Sequence, residues 1–170
     1  FNVTEAIANA QSEVMMASPY LVPGPNGVAV LRQVRERGVQ VAALTNSLAS
    51  TDEIVVHTGY RRYRDDLLRL GVQLFEFSPN RVNRYLRIGL FQTPGRLHTK
   101  AAVIDRHLIF IGSMNMDPRS ERHNTELGLI LDSPELGKQV RDVLETEMEQ
   151  SAYRLRLKDD GEDIEWVSFD

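Results

Sequence analysis

The sequence predicts an α/β domain whose mixed, largely parallel sheet is covered by helices on both faces. Two patterns alternate along the first half of the chain: apolar residues at helical spacing, and short apolar runs typical of buried strands. Their order is helix, strand, helix, strand, helix, strand, which builds parallel strands joined by crossover helices. A length of 170 residues is enough for one hydrophobic core. We therefore expect a single domain over residues 1–170.

The first three helix–strand pairs are marked by their boundary residues. Asn2 is followed three residues later by Glu5, which is the spacing of a capping box. Gly38 and Gly71 each end a helical pattern. The expected elements are a helix and a strand over 1–23, a helix over 27–38, a strand over 39–47, a helix containing 56–70 and a strand over 72–77.

The second of these strands ends in polar residues. Asn46 and Ser47 enter the loop SLASTD, at the edge where the carboxyl ends of parallel strands usually bind ligands. The alternative is a polar loop in which Asp52 caps the next helix. That helix also carries a polar group that we expect to form a solvated face: His57, Arg61, Arg62 and Arg64.

Residues 78–97 interrupt the pattern with a long basic segment. It contains four arginines and no acidic residue, with apolar and aromatic residues between them. A connection of this length is usually functional or mobile, and basic residues mixed with apolar ones suit an anionic lipid surface. We expect membrane contact here; the alternative is a connector whose apolar residues pack locally. The membrane-contact candidates are Arg81, Arg84, Arg87 and Phe91.

The second half of the chain adds further strands and one more helix. HTKAAVID (98–105) and LIFIGS (108–113) predict neighbouring strands, joined by a tight connection at Arg106 and His107. The remaining expected elements are a strand over 126–131, a helix with Ser133 as cap and Pro134 as first residue, and a hairpin over 151–170.

Composition and charge exclude several classes of protein. The chain has no cysteine, so it has neither a disulfide framework nor a zinc–thiolate site. No apolar run reaches the length of a membrane span. The formal net charge is -4, but six of the 24 acidic residues lie in 159–170, which contains no basic residue. The rest of the chain is slightly basic and suits an anionic substrate.

One stretch, residues 98–126, specifies chemistry. It contains a spaced set of six residues: His98, Lys100, Asp105, Gly112, Ser113 and Asn115. His98 and Lys100 are two apart, so they share one face of the predicted strand. Lys100 offers a positive charge, and His98 can act as a nucleophile or carry a proton. The hydroxyl of Ser113 and the carboxamide of Asn115 offer directional hydrogen bonds. This set suits a phosphodiester, and the lack of clustered carboxylates within it argues against a metal.

The spacing of these residues resembles the signature of the phospholipase D superfamily. With SPYLVPG, LTNSLASTD, DPRS and NTE, nearly the whole chain resembles the C-terminal half of bacterial cardiolipin-synthase-like proteins. The resemblance implies one half of a bilobal fold, in which each half gives a motif to a shared site. It also implies a cytoplasmic protein, peripheral to the inner membrane, with no cofactor. The chain starts at Phe1 without an initiator Met, so we expect an excised piece or a processed chain. The resemblance implies that the missing part is an N-terminal half with the first histidine motif.

The resemblance also implies a role for each motif residue. In this superfamily one motif histidine becomes a phosphohistidine and the other is the general acid and base. Because the chain resembles a second half, His98 is assigned the acid–base role, and Glu126 would orient its imidazole. Asp105 belongs to the catalytic signature but is expected to be a structural charge partner. The phosphate oxygens would be held by Lys100, Ser113 and Asn115.

Three functions remain open from the sequence. The first is phosphatidyl transfer between phospholipids, which is cardiolipin synthesis, at an anionic membrane surface. The second is a phosphodiesterase or nuclease of the same superfamily, whose partner would be nucleic acid. The third is an isolated half-domain that is inactive without its partner half. A homodimer that brings two His98 side chains together is another way to complete the site.

Overall fold

The computed structural model describes residues 2–81, 92–93, 96–113 and 128–169. Over these residues the chain forms four helices and ten strands. The helices are α1 (Val3–Ala8), α2 (Gly24–Glu36), α3 (Ile54–Arg69) and α4 (Pro134–Gln150). The strands are β1 (Glu13–Ala17), β2 (Gln40–Asn46), β3 (Gln73–Phe77), β4 (Gln92–Thr93), β5 (Arg96–Leu97), β6 (Ala101–Ile104), β7 (Leu108–Gly112), β8 (Gly128–Asp132), β9 (Ala152–Leu157) and β10 (Ile164–Val167).

Eight of these strands form one open sheet in the order β10-β9-β3-β2-β1-β6-β7-β8, while β4 and β5 pair separately. The β1–β2 and β2–β3 pairs are parallel, and the other five pairs of the large sheet are antiparallel. The prediction of a mixed α/β sheet is confirmed, but the prediction that it is largely parallel is wrong. Only α2 and α3 connect neighbouring parallel strands. The short connections β6–β7 and β9–β10 instead impose antiparallel pairing.

Helices cover both faces of the sheet, as predicted. On one face α1, α2 and α3 bury Ile7, Leu31 and Leu67 in a common core. On the other face α4 buries Leu144 and Met148 in a second core. Each helix contributes residues three, four or seven apart, which is the spacing that puts one apolar stripe against a sheet.

Strand β1 lies at the centre of the sheet and joins its two halves. All five of its residues are buried, and they alternate between the two cores: Val14 and Met16 on one side, Met15 and Ala17 on the other. Because β1 runs parallel to β2 but antiparallel to β6, three carboxyl strand ends and one amino end meet at one edge. We call this the site edge; it is marked by Ala17, Asn46, Phe77 and Ala101.

Two of the predicted helix caps are confirmed. The Asn2 side chain accepts hydrogen bonds from the amides of Thr4 (2.9 Å) and Glu5 (3.4 Å). Ser133 accepts one from the Leu136 amide at 3.3 Å, and Pro134 follows it as the first residue of α4. These short polar side chains satisfy amide groups that have no partner within the helix.

The alternative cap at Asp52 is wrong. Helix α3 begins after Glu53, whose side chain makes no cap hydrogen bond. The Asp52 carboxylate instead accepts a hydrogen bond from the Tyr20 hydroxyl at 2.6 Å. The loop after β2 is therefore tied to the loop after β1 rather than to the start of the helix.

The predicted solvated face of α3 is only partly correct. Arg61 and Arg62 are exposed, but His57 is 6% exposed and packs edge-on against the Tyr60 ring. This side of α3 is buried because it faces the buried carboxylate of Glu76. Glu76 on β3 is 3% exposed and accepts hydrogen bonds from Tyr60 (3.1 Å), Arg64 (3.2 Å) and the Trp166 indole (2.8 Å). Burial lowers the pKa of His57, which favours the neutral imidazole.

The start of α4 packs closely on the turn between β6 and β7. A Cβ atom on Gly137 would overlap the carbonyl of Arg106 and lie 2.9 Å from the Cα of His107. The Ser133 amide donates to the His107 carbonyl at 2.8 Å. A backbone turn cannot move aside as a flexible side chain can, so position 137 requires glycine.

Candidate active site

His98 and Lys100 lie at the site edge. They follow β5 and immediately precede β6, so the assigned strand is shorter than the predicted one over 98–105. The β6–β7 ladder nevertheless continues one residue further, because the Gly112 amide donates to the Lys100 carbonyl at 3.0 Å. Ser113 follows Gly112 directly. Three of the predicted site residues thus lie on neighbouring segments at one edge of the sheet.

These residues are accessible to a ligand. His98 and Ser113 are exposed, and Lys100 is half-buried. The Lys100 ammonium lies 3.4 Å from the carbonyl oxygen of His98. An exposed imidazole and an ammonium only two residues apart at an accessible edge can bind an anion and move a proton on it.

Asp105 lies at the other end of β6. A four-residue strand separates it from Lys100, so the five residue steps span about 16 Å at roughly 3.3 Å per residue. Its carboxylate accepts hydrogen bonds from the amides of Gln11 (2.9 Å), Ser12 (2.7 Å) and Glu13 (3.1 Å), and from the Ser12 hydroxyl (3.0 Å). The structure therefore does not bring Asp105 together with His98 and Lys100.

The environment of Asp105 favours its charged form. Burial by itself would raise the pKa of the carboxyl, but the amides of Ser12, Gln11 and Glu13 and the Ser12 hydroxyl outweigh burial and lower it. The backbone at Asp105 has a φ of 51°, and Arg106 follows with 65°. Both values belong to the left-handed region, which the tight turn between β6 and β7 requires and which Asp tolerates better than most residues.

Asn46 is a residue at this edge whose contacts the sequence did not predict. Its carboxamide accepts a hydrogen bond from the Leu97 amide at 2.9 Å and donates to the Leu97 carbonyl at 3.1 Å. The same nitrogen lies 3.4 Å from the carbonyl of Pro19. The sequence placed Asn46 at the ligand edge, but it gave no signal for a contact with a residue 51 positions away.

Several predicted residues cannot be placed. Asn115 and Glu126 lie outside the described residues, as do Arg84, Arg87 and Phe91 of the basic segment. Arg81, at the start of that segment, is described: its guanidinium lies 5.0 Å from the centre of the Tyr153 ring. This is the distance of a cation–π contact, so Arg81 packs against the C-terminal hairpin.

The described residues contain no group of three or more His, Asp or Glu side chains arranged to hold a metal ion. None of the described helices is long and apolar enough to cross a membrane. The predicted groups that the structure describes at the site edge are an imidazole, an ammonium and a hydroxyl.

Comparison with solved structures defines the class of fold. The chain matches a phospholipase D family member, Nuc from Salmonella typhimurium, with a TM-score of 0.68 and 19% identity, over 91% of this chain and 88% of that one. It matches phosphatidylserine synthase from Haemophilus influenzae with a TM-score of 0.69 and 14% identity, over 91% of this chain and 36% of that one. At such identities the likeness shows the fold alone, and that fold is phospholipase D-like.

Comparison of sequences identifies the family. The profile described as "Cardiolipin synthase, PLD-like domain" matches residues 3–148. Cardiolipin synthase C of Escherichia coli (strain K12) is 39% identical over 166 residues, which are 96% of this chain and 35% of that protein. Cardiolipin synthase A of Pseudomonas putida (strain W619) is 32% identical over 147 residues, 86% of this chain and 27% of that protein.

The chain therefore belongs to the cardiolipin synthase family of phospholipase D-like domains, and the resemblance predicted from the motif is confirmed. It spans about a third of the length of the curated relatives that it matches.

Proposed function

We propose that this chain supplies the second histidine motif of a phosphatidyltransferase that makes cardiolipin from other phospholipids. The observation that carries the proposal is the exposed His98 beside Lys100 at the site edge, in a domain of this family. The match to about a third of each relative supports a role as one part of a larger enzyme.

The reaction has two steps at one phosphorus. In the first, a histidine of the partner half attacks the donor lipid, and protonated His98 gives its proton to the leaving alkoxide oxygen. In the second, neutral His98 takes a proton from the hydroxyl of the acceptor lipid, and that oxygen attacks the phosphohistidine. The phosphodiester is re-formed, both histidines return to their starting states, and no cofactor is consumed.

Other motif residues support this chemistry. Lys100, Ser113 and Asn115 hold the phosphate oxygens, whose negative charge they stabilise as the phosphorus becomes five-coordinate. The role proposed for Glu126 is to accept a hydrogen bond from the second ring nitrogen of His98, which would fix its tautomer and favour the protonated ring. Asp105 stabilises the turn that ends β6 and does not contact the substrate.

A second histidine motif must come from outside this copy of the chain. The sequence has four histidines, and only His98 stands in a His-x-Lys pair. His57 is buried in α3, and His107 lies at the opposite end of β6, paired with Asp132 at 2.7 Å. The partner half of a longer protein is the proposed source; a homodimer with two His98 side chains is the alternative.

The basic segment would place this site at a membrane. Four arginines with no acidic residue attract anionic lipid, and the apolar residues between them suit its interface. Binding of the full-length protein to anionic vesicles should weaken when Arg84 and Arg87 are changed to Ser. Equal co-sedimentation of the variant and the wild type would reduce the segment to a connector.

The direct test compares two histidines at opposite ends of β6 in the full-length protein. We expect His98→Ala to lower phosphatidyl transfer between defined phospholipids by about 10²- to 10⁴-fold, the usual contribution of a general acid–base group. His107→Ala is the matched control, since it is also an accessible histidine, and it should retain transfer. Equal turnover by wild type and His98→Ala would refute the proposal.

The same samples separate the other functions. DNA cleavage without added metal, together with no lipid transfer, would identify a nuclease instead. Residues 1–170 alone should melt cooperatively and show neither activity. Activity confined to a dimer of this chain would favour the symmetric site over a partner half.

A further inference from the structure

We infer that Asn46 is a positioning residue for His98, because its buried carboxamide holds both peptide groups of the residue that immediately precedes the histidine. The expected effect of Asn46 on turnover rests on the proposed function, in which His98 is the general acid and base. The structural part of the inference concerns only the 170-residue chain.

The Asn46 side chain forms with the Leu97 backbone the pair of hydrogen bonds that a neighbouring β-strand would otherwise form. The Leu97 amide donates to Asn46 Oδ1 at 2.9 Å, and Asn46 Nδ2 donates to the Leu97 carbonyl at 3.1 Å. β2 and β5 share no backbone pairing in the described sheets, so the carboxamide supplies the link between them. Leu97 is 2% exposed and packs in the core under α4, which holds its side chain as well.

Few side chains can replace this carboxamide. Leu97 offers one donor and one acceptor, and the asparagine amide returns one of each at matching length. A carboxylate would still accept from the Leu97 amide, but it would oppose the Leu97 carbonyl with a lone pair. Asn46 is 3% exposed, so water cannot restore the lost bond, and an unsatisfied buried group is costly.

The position of Leu97 determines the position of the histidine. His98 is exposed, so no core packing fixes its side chain. Its backbone is held on one side by the Asn46–Leu97 pair and on the other by the bond between Lys100 and Gly112. A displacement of about 1 Å at a reacting group costs about 100-fold in rate. Loosening Leu97 should thus misplace the imidazole without removing it.

The structural test uses amide hydrogen exchange in the 170-residue chain. We expect Asn46→Ala to remove protection at Leu97 and to leave protection at Ala43, in the middle of β2, unchanged. Thr45→Val is the matched control: the Thr45 hydroxyl is bonded to the Pro19 carbonyl at 3.4 Å and has no bond to Leu97. Unchanged Leu97 protection in Asn46→Ala would overturn the inference.

The catalytic test uses Asn46→Asp in the full-length protein. This variant keeps the shape and the bond to the Leu97 amide, so it carries the test even if Asn46→Ala does not fold. We expect kcat to fall about 100-fold with KM nearly unchanged, whereas Thr45→Val should keep its kcat. The ratio of variant to wild-type kcat should rise as pH falls, because a protonated carboxyl group can again donate to the Leu97 carbonyl.

The outcomes separate this inference from the proposed function. A wild-type protein without lipid transfer would refute the proposed function, while hydrogen exchange would still decide whether Asn46 fixes Leu97. With an active wild type, an Asn46→Asp variant that matches Thr45→Val in kcat, with a ratio independent of pH, would overturn the positioning role.

Discussion

The two ends of strand β6 carry residues of one sequence motif in opposite environments. At the site edge, beside the carboxyl ends of the parallel strands, His98 is exposed and Lys100 is half-buried. At the other end, Asp105 accepts hydrogen bonds from three consecutive amides and one hydroxyl of another segment. One end of the strand thus carries accessible polar side chains, and the other end is attached to the segment that enters β1.

The difference sets an expectation for mutations. Changes at the exposed His98 and the half-buried Lys100 should reduce turnover and leave the free energy of unfolding nearly constant, since side chains that reach the solvent contribute little to stability. Changes at the Asp105 end should do the reverse.

The largest effect is expected at Lys100. Lys100→Met keeps the length of the side chain but removes its charge, which should lower kcat of the full-length enzyme by about 10²- to 10³-fold, as for other groups that stabilise a transition-state charge. Lys138→Met, on the surface of α4, is the control for a lost exposed ammonium. A large loss of stability in Lys100→Met would contradict the division of roles.

The next effect is expected at Gly137. Gly137→Ala should lower the free energy of unfolding by about 2–3 kcal/mol, because the new methyl group overlaps the carbonyl of Arg106. Chemical denaturation measures the change. In Gly59→Ala the added Cβ would meet Val22 at 3.6 Å, an ordinary contact. That control should be neutral or slightly stabilising, because alanine favours helix.

The smallest effect is expected at Asp105. Asp105→Ala should cost about 1–2 kcal/mol, because three amides lose their acceptor at a partly solvated position. The folded-state pKa of Asp105 is lowered, so its stabilisation is complete above the unfolded-state pKa of about 3.9. It is lost as pH falls through the lower folded-state value. Denaturation at several pH values should show the two proteins converging in acid.

Asp160 provides the control for that experiment. Its carboxylate also accepts two amides, from Glu162 and Asp163, but in the exposed tip of the β9–β10 connection. Asp160→Ala should change the unfolding midpoint less than Asp105→Ala does. An equal change would mean that amide bonding alone, without attachment to β1, accounts for the effect of Asp105.

Local signals predicted much of the fold. The caps at Asn2 and Ser133 follow from a polar side chain whose partners lie within three residues, and both are confirmed. The direction of β6 and the burial of His57 depend on segments distant in sequence. A strand has the same alternation in either direction, so the apolar pattern could not show that β6 pairs antiparallel with β1. Glu76 and Trp166 of the C-terminal hairpin contact residues of α3, and no residue close to His57 in sequence indicates those contacts.

The candidate site, like the fold, could be predicted from the sequence only in part. The types of the reactive groups follow from the motif, since His98 and Lys100 are recognisable by spacing. The contact that holds the residue before His98 does not follow from the motif, because Asn46 and Leu97 meet only when β2 and β5 are in place. Buried polar contacts of this kind are specified by tertiary structure and leave no periodic trace in the chain.

The central position of β1 has a kinetic consequence. The parallel strands and the β6–β7 hairpin can each assemble from nearby residues. Their union across β1 joins segments that are far apart, such as Gln11 and Asp105, which are 94 positions apart in sequence. Contacts of such long range tend to form late. We therefore expect the hydrogen bonds of Asp105 to form after the rate-limiting barrier, so Asp105→Ala should accelerate unfolding and leave the folding rate almost unchanged.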